Sequence, residues 1–218
     1  MTKSFPSRVR DNILPLSVGT RLPDAFKEWR FTELTLDHEE PIEVCGLCDK
    51  RELRYHFEIK NDYTKAKLMV GSHCILKFDV PVYERGELLG RSETRLKLNK
   101  LKEKMHREAC IKALEKVLEH EDNHILRGAL GYYKKHGYLT PKYAFVVLWR
   151  LDANAINHNP SFFRVRINRH SLKNDLKKMK QGRITTIWQA LSGAQRKLAI
   201  ELGHSNPAKK NKEGQLQR

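Results

Sequence analysis

The chain has 218 residues, of which 31% are charged and 39% hydrophobic, and its formal net charge is +16 at pH 7. This length fits one or two domains, and so large a positive charge predicts a polyanion such as nucleic acid as the partner. The first residues lack the apolar stretch of a signal peptide, and nowhere do roughly 18 apolar residues follow one another as in a membrane span. We therefore expect a cytoplasmic protein that does not enter a membrane.

Charge is distributed unevenly along the chain. Residues 1–90 carry 14 Lys and Arg against 15 Asp and Glu, whereas residues 164–218 carry 14 against three. This asymmetry indicates a localised binding surface rather than general solubility. We expect an α+β, mostly helical protein with four segments: a zinc-binding β-hairpin module at 1–90, a helical region at 91–150, a basic α+β unit at 151–204 and a flexible basic tail at 205–218.

The N-terminal stretch gives weak structural signals. Residues 1–20 show little periodicity and are expected to be irregular. Residues 25–31 are predicted to form a short helix, for which Asp24 would be the N-cap after Pro23.

Three cysteines around a predicted hairpin have the spacing of metal ligands. Cys45 and Cys48 form a C-x2-C turn whose two sulfurs can reach one tetrahedral ion. Strands at 53–59 and 66–70 then form a hairpin that returns Cys74 to the first pair. Without a secretion signal, this pattern indicates metal binding rather than disulfide bonding. We predict a structural zinc ion; the alternatives are ordinary buried cysteines or a redox dithiol.

The spacing does not define a fourth ligand. His73 is the preferred candidate, although it adjoins Cys74 and neighbouring residues in extended backbone point apart. The other candidates are His38, His56, His106 and Cys110.

The cysteine segment also resembles a known type of module. Cys45-Gly-Leu-Cys48 and Val70-Gly-Ser-His-Cys74-Ile-Leu-Lys-Phe78 are similar to a zinc-ribbon-like segment of uncharacterised phage and bacterial mobile-element proteins. Those proteins share C-x2-C followed by V-G-S-x-C-[I/L]-x-x-F. The resemblance covers residues 45–78, implies that the three cysteines are ligands, and names no activity.

Helical patterns dominate the middle of the chain. Residues 91–119 and 125–133 have the periodicity of helices, and the second helix should end at Gly137. Thr140-Pro141 is a typical start of a third helix, which runs through Trp149.

The most basic stretch predicts a nucleic-acid interface. Residues 163–167 alternate apolar and basic, as a strand with one buried face does, and the next helix has an apolar stripe opposite its lysines. Lysine and arginine suit phosphate oxygens and give affinity without sequence preference. The competing interpretation is a solvated helix face. The predicted nucleic-acid-binding residues are Arg164, Arg166, Arg169, Lys173, Lys177, Lys178, Lys180 and Arg183.

Aromatic residues in the same half are predicted mainly to be part of the core. Base stacking is the alternative role for Tyr132, Tyr133, Phe162 and Phe163.

The leading functional hypothesis is non-catalytic binding of DNA or RNA, in a regulatory or accessory role in a bacterium or mobile element. The alternatives are an adaptor that docks a host protein through the zinc module and a metal-dependent nuclease. Residues 120–124 match the H-E-x-x-H motif of zinc proteases. However, Asp122 and Asn123 are poor helix-interior residues, so we expect a polar turn there and predict no catalytic residue.

Overall fold

The computed structural model describes residues 7–207, which form mostly helices and a small antiparallel sheet. The predicted α+β, mostly helical class is therefore confirmed. The chain divides into two compact units with the boundary between His106 and Arg107, rather than at residues 90 and 150. Within the described residues, no helix combines the length and apolar character needed to cross a bilayer.

The first unit is built around a three-stranded antiparallel sheet. In chain order its elements are α1 (Ser7–Ile13), α2 (Leu22–Phe26), β1 (Trp29–Asp37), β2 (Tyr55–Asn61), β3 (Lys67–Val70), α3 (Ser72–Lys77), β4 (Tyr83–Glu84), β5 (Glu87–Leu88) and the first part of α4 (Arg91–His120). The central strand β2 pairs with β1 on one side and with β3 on the other. A short pair formed by β4 and β5 follows.

The predicted hairpin is confirmed by the pairing of β2 with β3. Asn61 ends β2, and its side-chain oxygen accepts hydrogen bonds from the backbone N–H groups of Tyr63 and Thr64 at 2.8 and 3.0 Å. A side chain that closes its own turn in this way is typical of asparagine. Asn61-Asp62 is also a turn signal in the sequence, and the hairpin turns there.

Two expectations for the N-terminal stretch are wrong. The stretch expected to be irregular contains α1, and the predicted short helix begins and ends earlier, as α2, with Arg21 at its N-cap. Trp29 and Phe31 belong to β1 instead, because both side chains are buried against the sheet while Arg30 between them is exposed. This alternation suits a half-buried strand and not a helix.

The second unit consists of helices packed around one apolar core. After the end of α4 it contains α5 (His124–His136), α6 (Pro141–Ala153), α7 (His170–Lys178), α8 (Gln181–Ile187) and α9 (Gly193–Glu201). Two predicted boundaries are confirmed: Thr140 accepts the N–H of Tyr143 as the N-cap of α6, and Gly137 ends α5 in the left-handed region with φ 71°. The sequence also predicts that Gly182 breaks the basic helix, but the break lies earlier: α7 ends at Lys178 with Met179 as its C-cap, and α8 begins at Gln181, so Gly182 is a residue of α8.

Residues 163–167 have the predicted alternation of burial but form no strand of a sheet. Phe163, Val165 and Ile167 are buried in the core of the second unit, whereas the arginines between them are exposed. The segment makes one isolated parallel bridge, from Val165 to Leu139. The predicted helical region and basic unit therefore share one core, which explains why no boundary falls at residue 150. Residues 208–218 of the predicted tail lie outside the described residues.

Candidate metal centre and basic surface

The structure brings together the three cysteines of the predicted metal site. The Cys74 sulfur lies 3.7 Å from that of Cys45 and 3.3 Å from that of Cys48, and all three lie within 4.8 Å of one another. Sulfurs bound to one tetrahedral zinc ion at about 2.3 Å are about 3.8 Å apart. The cysteines are free thiols, since disulfide sulfurs lie only about 2 Å apart. This cluster can hold a metal ion.

A tight turn presents the first two sulfurs. The backbone N–H of Asp49 donates to the carbonyl of Cys45, and the N–H of Cys45 donates to the carbonyl of Lys50, each at 2.9 Å. Gly46 donates to the carbonyl of Met69 at 2.8 Å, and its Cα passes so close that a Cβ there would lie 3.1 Å from that oxygen. The turn is thus attached to β3, whose end leads directly to Cys74.

Cys74 lies in the first turn of α3. Gly71 precedes the helix, and its N–H donates to the Cys45 sulfur at 3.4 Å. Cys45 and Cys74 are almost completely buried, whereas Cys48 is half-buried. The sulfur cluster is therefore part of the core of the first unit.

Hydrogen bonds within the cluster distribute its protons unequally. The pKa of the Cys45 thiol is lowered to about 5, chiefly because the Cys74 thiol donates to its sulfur and despite the opposing effect of burial. Backbone N–H groups of Gly71, Leu47 and Cys48 also donate to that sulfur. The pKa of Cys74 is raised by its hydrogen bond to Cys45 and by burial. A metal ion that binds three thiolates must displace the retained protons, so its affinity falls at low pH.

His73 is not among the residues whose ligand atoms lie together in the sulfur cluster, so its role as fourth ligand stays a prediction. Successive residues of a helix point about 100° apart, so the turn of α3 that buries Cys74 leaves His73 exposed. His56 also lies outside the cluster, because its ring bonds to the carbonyl of Val44 and to His38. The other three candidates also lie outside it: His38 bonds to His56, His106 bonds to the Tyr55 hydroxyl, and Cys110 packs in the core of the second unit.

A cavity of about 380 Å³ adjoins the three cysteines. His73 lines it, together with the basic residues Lys50, Arg54 and Lys102. Glu52 also lines it, and Arg54 is paired with Asp37. The cavity gives an ion or a small ligand a path to the half-buried sulfur of Cys48.

All eight residues of the predicted nucleic-acid interface are exposed. Within residues 7–207, none of the eight forms a salt bridge with a carboxylate. Asp175, the one acidic residue of α7, is instead paired with Lys142 at 2.7 Å. The positive charge of this surface, which we call the basic surface, is therefore not neutralised locally.

Two arginines of the basic surface lie over aromatic rings, which the sequence did not predict. The guanidinium carbon of Arg166 is 4.6 Å from the ring centroid of Tyr138, and that of Arg183 is 4.9 Å from the centroid of Phe145. The hydrogen bond from Arg166 also lowers the pKa of Tyr138. Such contacts hold the guanidinium groups in place while their edges stay available as donors.

The aromatic residues considered for base stacking have different environments. Phe163 is buried and Tyr133 packs against the core, as predicted. Phe162 is half-buried, at the end of a short 3-10 helix. Tyr132 is half-buried too, and its ring contacts Tyr138 at 5.9 Å between centroids.

The H-E-x-x-H residues lie in a polar turn between helices. His120 is the last residue of α4 and His124 the first of α5, so the two histidines do not share one helix face. Glu121 pairs with Arg150, and the Asn123 side chain accepts the backbone N–H of Leu126 at 3.0 Å as the N-cap of α5. The geometry of a zinc protease motif, which needs both histidines on one helix, is not formed.

Comparisons of this chain with protein-family models, with curated proteins and with solved structures give no match. They do not bear on the resemblance of the cysteine segment to mobile-element proteins, which stays a prediction.

Proposed function

We propose that this protein binds nucleic acid without catalysis, through phosphate contacts of the basic surface, and that a zinc ion orders its first unit. The observation that carries the proposal is the set of eight exposed basic side chains that have no carboxylate partner within the described residues. On most protein surfaces, charges of both signs are interspersed. A surface that stays positive attracts polyanions and releases their counterions on binding.

Zinc is the metal that the cysteine cluster fits best. Thiolate ligands select soft or borderline ions, and the sulfur spacing agrees with tetrahedral coordination. A water molecule in the adjoining cavity, or a rotated His73 ring, would complete the tetrahedron. Because the cluster lies in the core of the first unit, the ion has a structural role.

The test is fluorescence anisotropy with labelled single-stranded DNA, duplex DNA and RNA over a series of salt concentrations. We expect binding that weakens steeply with salt, because each phosphate contact contributes about 0.9 to the slope of log K against log salt on duplex DNA. The triple variant Arg164→Glu, Lys173→Glu, Lys177→Glu should bind far more weakly, with a slope smaller by about two to three.

A matched control variant distinguishes binding through a localised surface from attraction by the net charge of the whole protein. Arg8, Arg10 and Arg51 are exposed residues of the first unit, and their replacement by glutamate changes the net charge by the same amount. The control variant should keep most of the affinity. Equal losses in both triple variants would contradict a localised interface, and no binding by the wild-type protein at low salt would overturn the proposal.

A second candidate function is docking of another protein through the first unit. It is favoured by exposed apolar side chains next to the cysteine turn, since Ile42 is 68% and Val44 45% exposed. The double variant Ile42→Ser, Val44→Ser should abolish capture of a partner from a host extract, whereas the basic-surface variant should preserve it. Equal capture by the wild-type protein and the Ile42/Val44 variant would contradict this candidate.

A further inference from the structure

One tryptophan of the second unit is exposed to solvent. The chain has three tryptophans: Trp29 and Trp188 are 0% and 7% exposed, whereas Trp149 is 47% exposed. An indole ring is among the most apolar side chains, and leaving half of it in water forfeits much of the stabilisation that burial gives. Trp149 thus contributes less to the core than a tryptophan can.

Trp149 is part of an organised group of aromatic and cationic side chains. Phe145 lies one turn earlier on α6, and the two rings are nearly parallel, 20° apart in plane and 6.3 Å apart between centroids. Arg183 lies over the Phe145 ring, and the guanidinium carbon of Arg150 is 5.4 Å from the Trp149 centroid. We call Phe145, Trp149, Arg150 and Arg183 the aromatic platform.

We propose that the aromatic platform stacks on an unpaired nucleobase, so that the protein prefers single-stranded nucleic acid to duplex. This inference rests on the proposed function and specifies its ligand. Arg183 links the aromatic platform to the basic surface, because it is a residue of the basic surface and also lies over the Phe145 ring of the platform. The pairing of aromatic faces with a positively charged backbone path is typical of proteins that bind single strands.

The charge around the platform favours a polyanion over an apolar protein segment. Arg183 lies on α8 and forms no salt bridge within the described residues, whereas Lys142, one turn before Phe145 on α6, is paired with Asp175. Arg150 is paired with Glu121, so it holds the indole ring in place rather than offering a free charge. An exposed ring beside Arg183, a cation without a carboxylate partner among the described residues, suits a ligand that carries both an aromatic face and a phosphate.

A duplex cannot use the platform in the same way. Its bases are already stacked on one another, so an aromatic side chain reaches a base face only after unstacking, which costs a few kcal/mol per step. An unstructured single strand offers those faces freely, and stacking on them tolerates any base because every base has a π-face. The platform therefore predicts strand preference without sequence preference.

The fluorescence of the exposed Trp149 can report directly on binding. We would titrate the full-length protein with oligothymidylate, oligouridylate and a DNA duplex while following both tryptophan fluorescence and anisotropy of the labelled strand. A base stacked on Trp149 should quench the fluorescence, and we expect quenching by the single strands and little by the duplex. Trp149→Ala should weaken single-strand binding by about tenfold and change duplex binding by less than about twofold.

Two further variants keep the test specific. Trp149→Phe retains a ring and should recover much of the affinity while removing the quenching signal. Ile200→Ala truncates an apolar side chain of similar exposure, 49%, in the same unit and should change neither quantity. Thermal unfolding of each variant checks that the fold is intact.

The outcomes separate this inference from the proposed function. Quenching by either single strand, with loss in Trp149→Ala, supports the inference, and the tighter of the two oligonucleotides identifies the polymer. Equal binding of duplex and single strands with unchanged fluorescence would overturn the platform while leaving the proposed function intact. Absence of binding to all three nucleic acids would overturn both.

Discussion

The two units differ in what their cores are made of. The core of the first unit contains the sulfurs of Cys45 and Cys74 among its apolar side chains, so a group that can hold a metal ion lies inside the hydrophobic cluster. The core of the second unit is formed by apolar residues of packed helices and contains no group of metal ligands within the described residues. The first unit should therefore depend on a metal ion, and the second on packing alone.

The largest expected effect is the response of the two units to metal removal. Chelation, or the double variant Cys45→Ser, Cys48→Ser, should unfold the first unit, because structural zinc sites supply about 10 kcal/mol or more of binding free energy to folding. The second unit should remain folded. Hydrogen-exchange mass spectrometry reports both at once, through fast exchange in β2 and β3 and unchanged protection in α6.

The control for this experiment is Cys110→Ala, which removes a cysteine that lies outside the cluster. This variant should bind metal with the wild-type stoichiometry. The contrast between the units fails if chelation leaves β2 and β3 protected, or if α6 loses protection together with them.

The next largest effect tests whether the second unit depends on the packing of its apolar core. Leu148 is completely buried in the core of the second unit, and Leu148→Ala should lower its free energy of unfolding by about 3 kcal/mol, because the deletion leaves a cavity. Metal binding by the first unit should be unchanged. Urea denaturation followed by circular dichroism, with a parallel zinc assay, measures both quantities.

Ile125→Ala is the matched control for that substitution. Ile125 is an apolar residue of the same unit but is 51% exposed, so its truncation should cost little. Loss of bound metal in Leu148→Ala would show that the two units do not fold independently.

The third effect concerns a buried polar group of the first unit, the carboxylate of Glu28. Glu28 is buried, and its carboxylate accepts hydrogen bonds from the N–H of Val18 at 2.9 Å, the N–H of Gly19 at 2.6 Å and Asn61 Nδ2 at 2.7 Å. Burial alone would raise the pKa of Glu28, but these hydrogen bonds outweigh it and hold the pKa below its ordinary value of 4.5. Glu28→Gln should therefore destabilise the first unit at pH 7 by about 2 kcal/mol.

The sign of the pH dependence follows from the lowered pKa. The stabilisation by Glu28 is fully present above pH 4.5 and is lost as the pH falls through the pKa of the folded state, so the difference between wild type and Glu28→Gln should shrink there. Thermal unfolding between pH 7 and pH 3 measures this difference in stability, and Glu40→Gln, at an exposed position, is the control. If the difference in stability between wild type and Glu28→Gln stays constant between pH 7 and pH 3, the charge of the Glu28 carboxylate does not stabilise the first unit.

Local patterns account for the parts of the structure that the sequence predicts. The alternation at residues 53–59 and the turn at Asn61 define the hairpin, and Thr140 caps α6, because each depends on neighbours only a few residues away. The cysteine cluster follows from the same hairpin. Its geometry needs only one C-x2-C turn and a return of the chain, both of which the sequence contains.

The missed features depend on contacts between distant segments. The sequence does not predict β1, because the burial of Trp29 depends on pairing with β2, which lies beyond the cysteine turn. The contact of Arg183 with Phe145 depends on the packing of α8 against α6. The adjacency of His73 and Cys74 in the chain does not indicate where each side chain points, because the start of α3 buries Cys74 and leaves His73 exposed.

The smallest effect concerns the turn between α4 and α5 in the second unit, where H-E-x-x-H and an N-cap make opposite predictions. If Asn123 acts as the cap of α5, Asn123→Ala should lower the free energy of unfolding of this unit by about 1 kcal/mol, because the N–H of Leu126 loses its acceptor. His120→Ala and His124→Ala should each change it much less. The measurement is urea denaturation of the three variants, together with a divalent-metal titration of the cysteine double variant. Metal binding that survives loss of the cysteines but disappears in His120→Ala would assign these histidines to a second metal site, and the second unit would then not depend on packing alone.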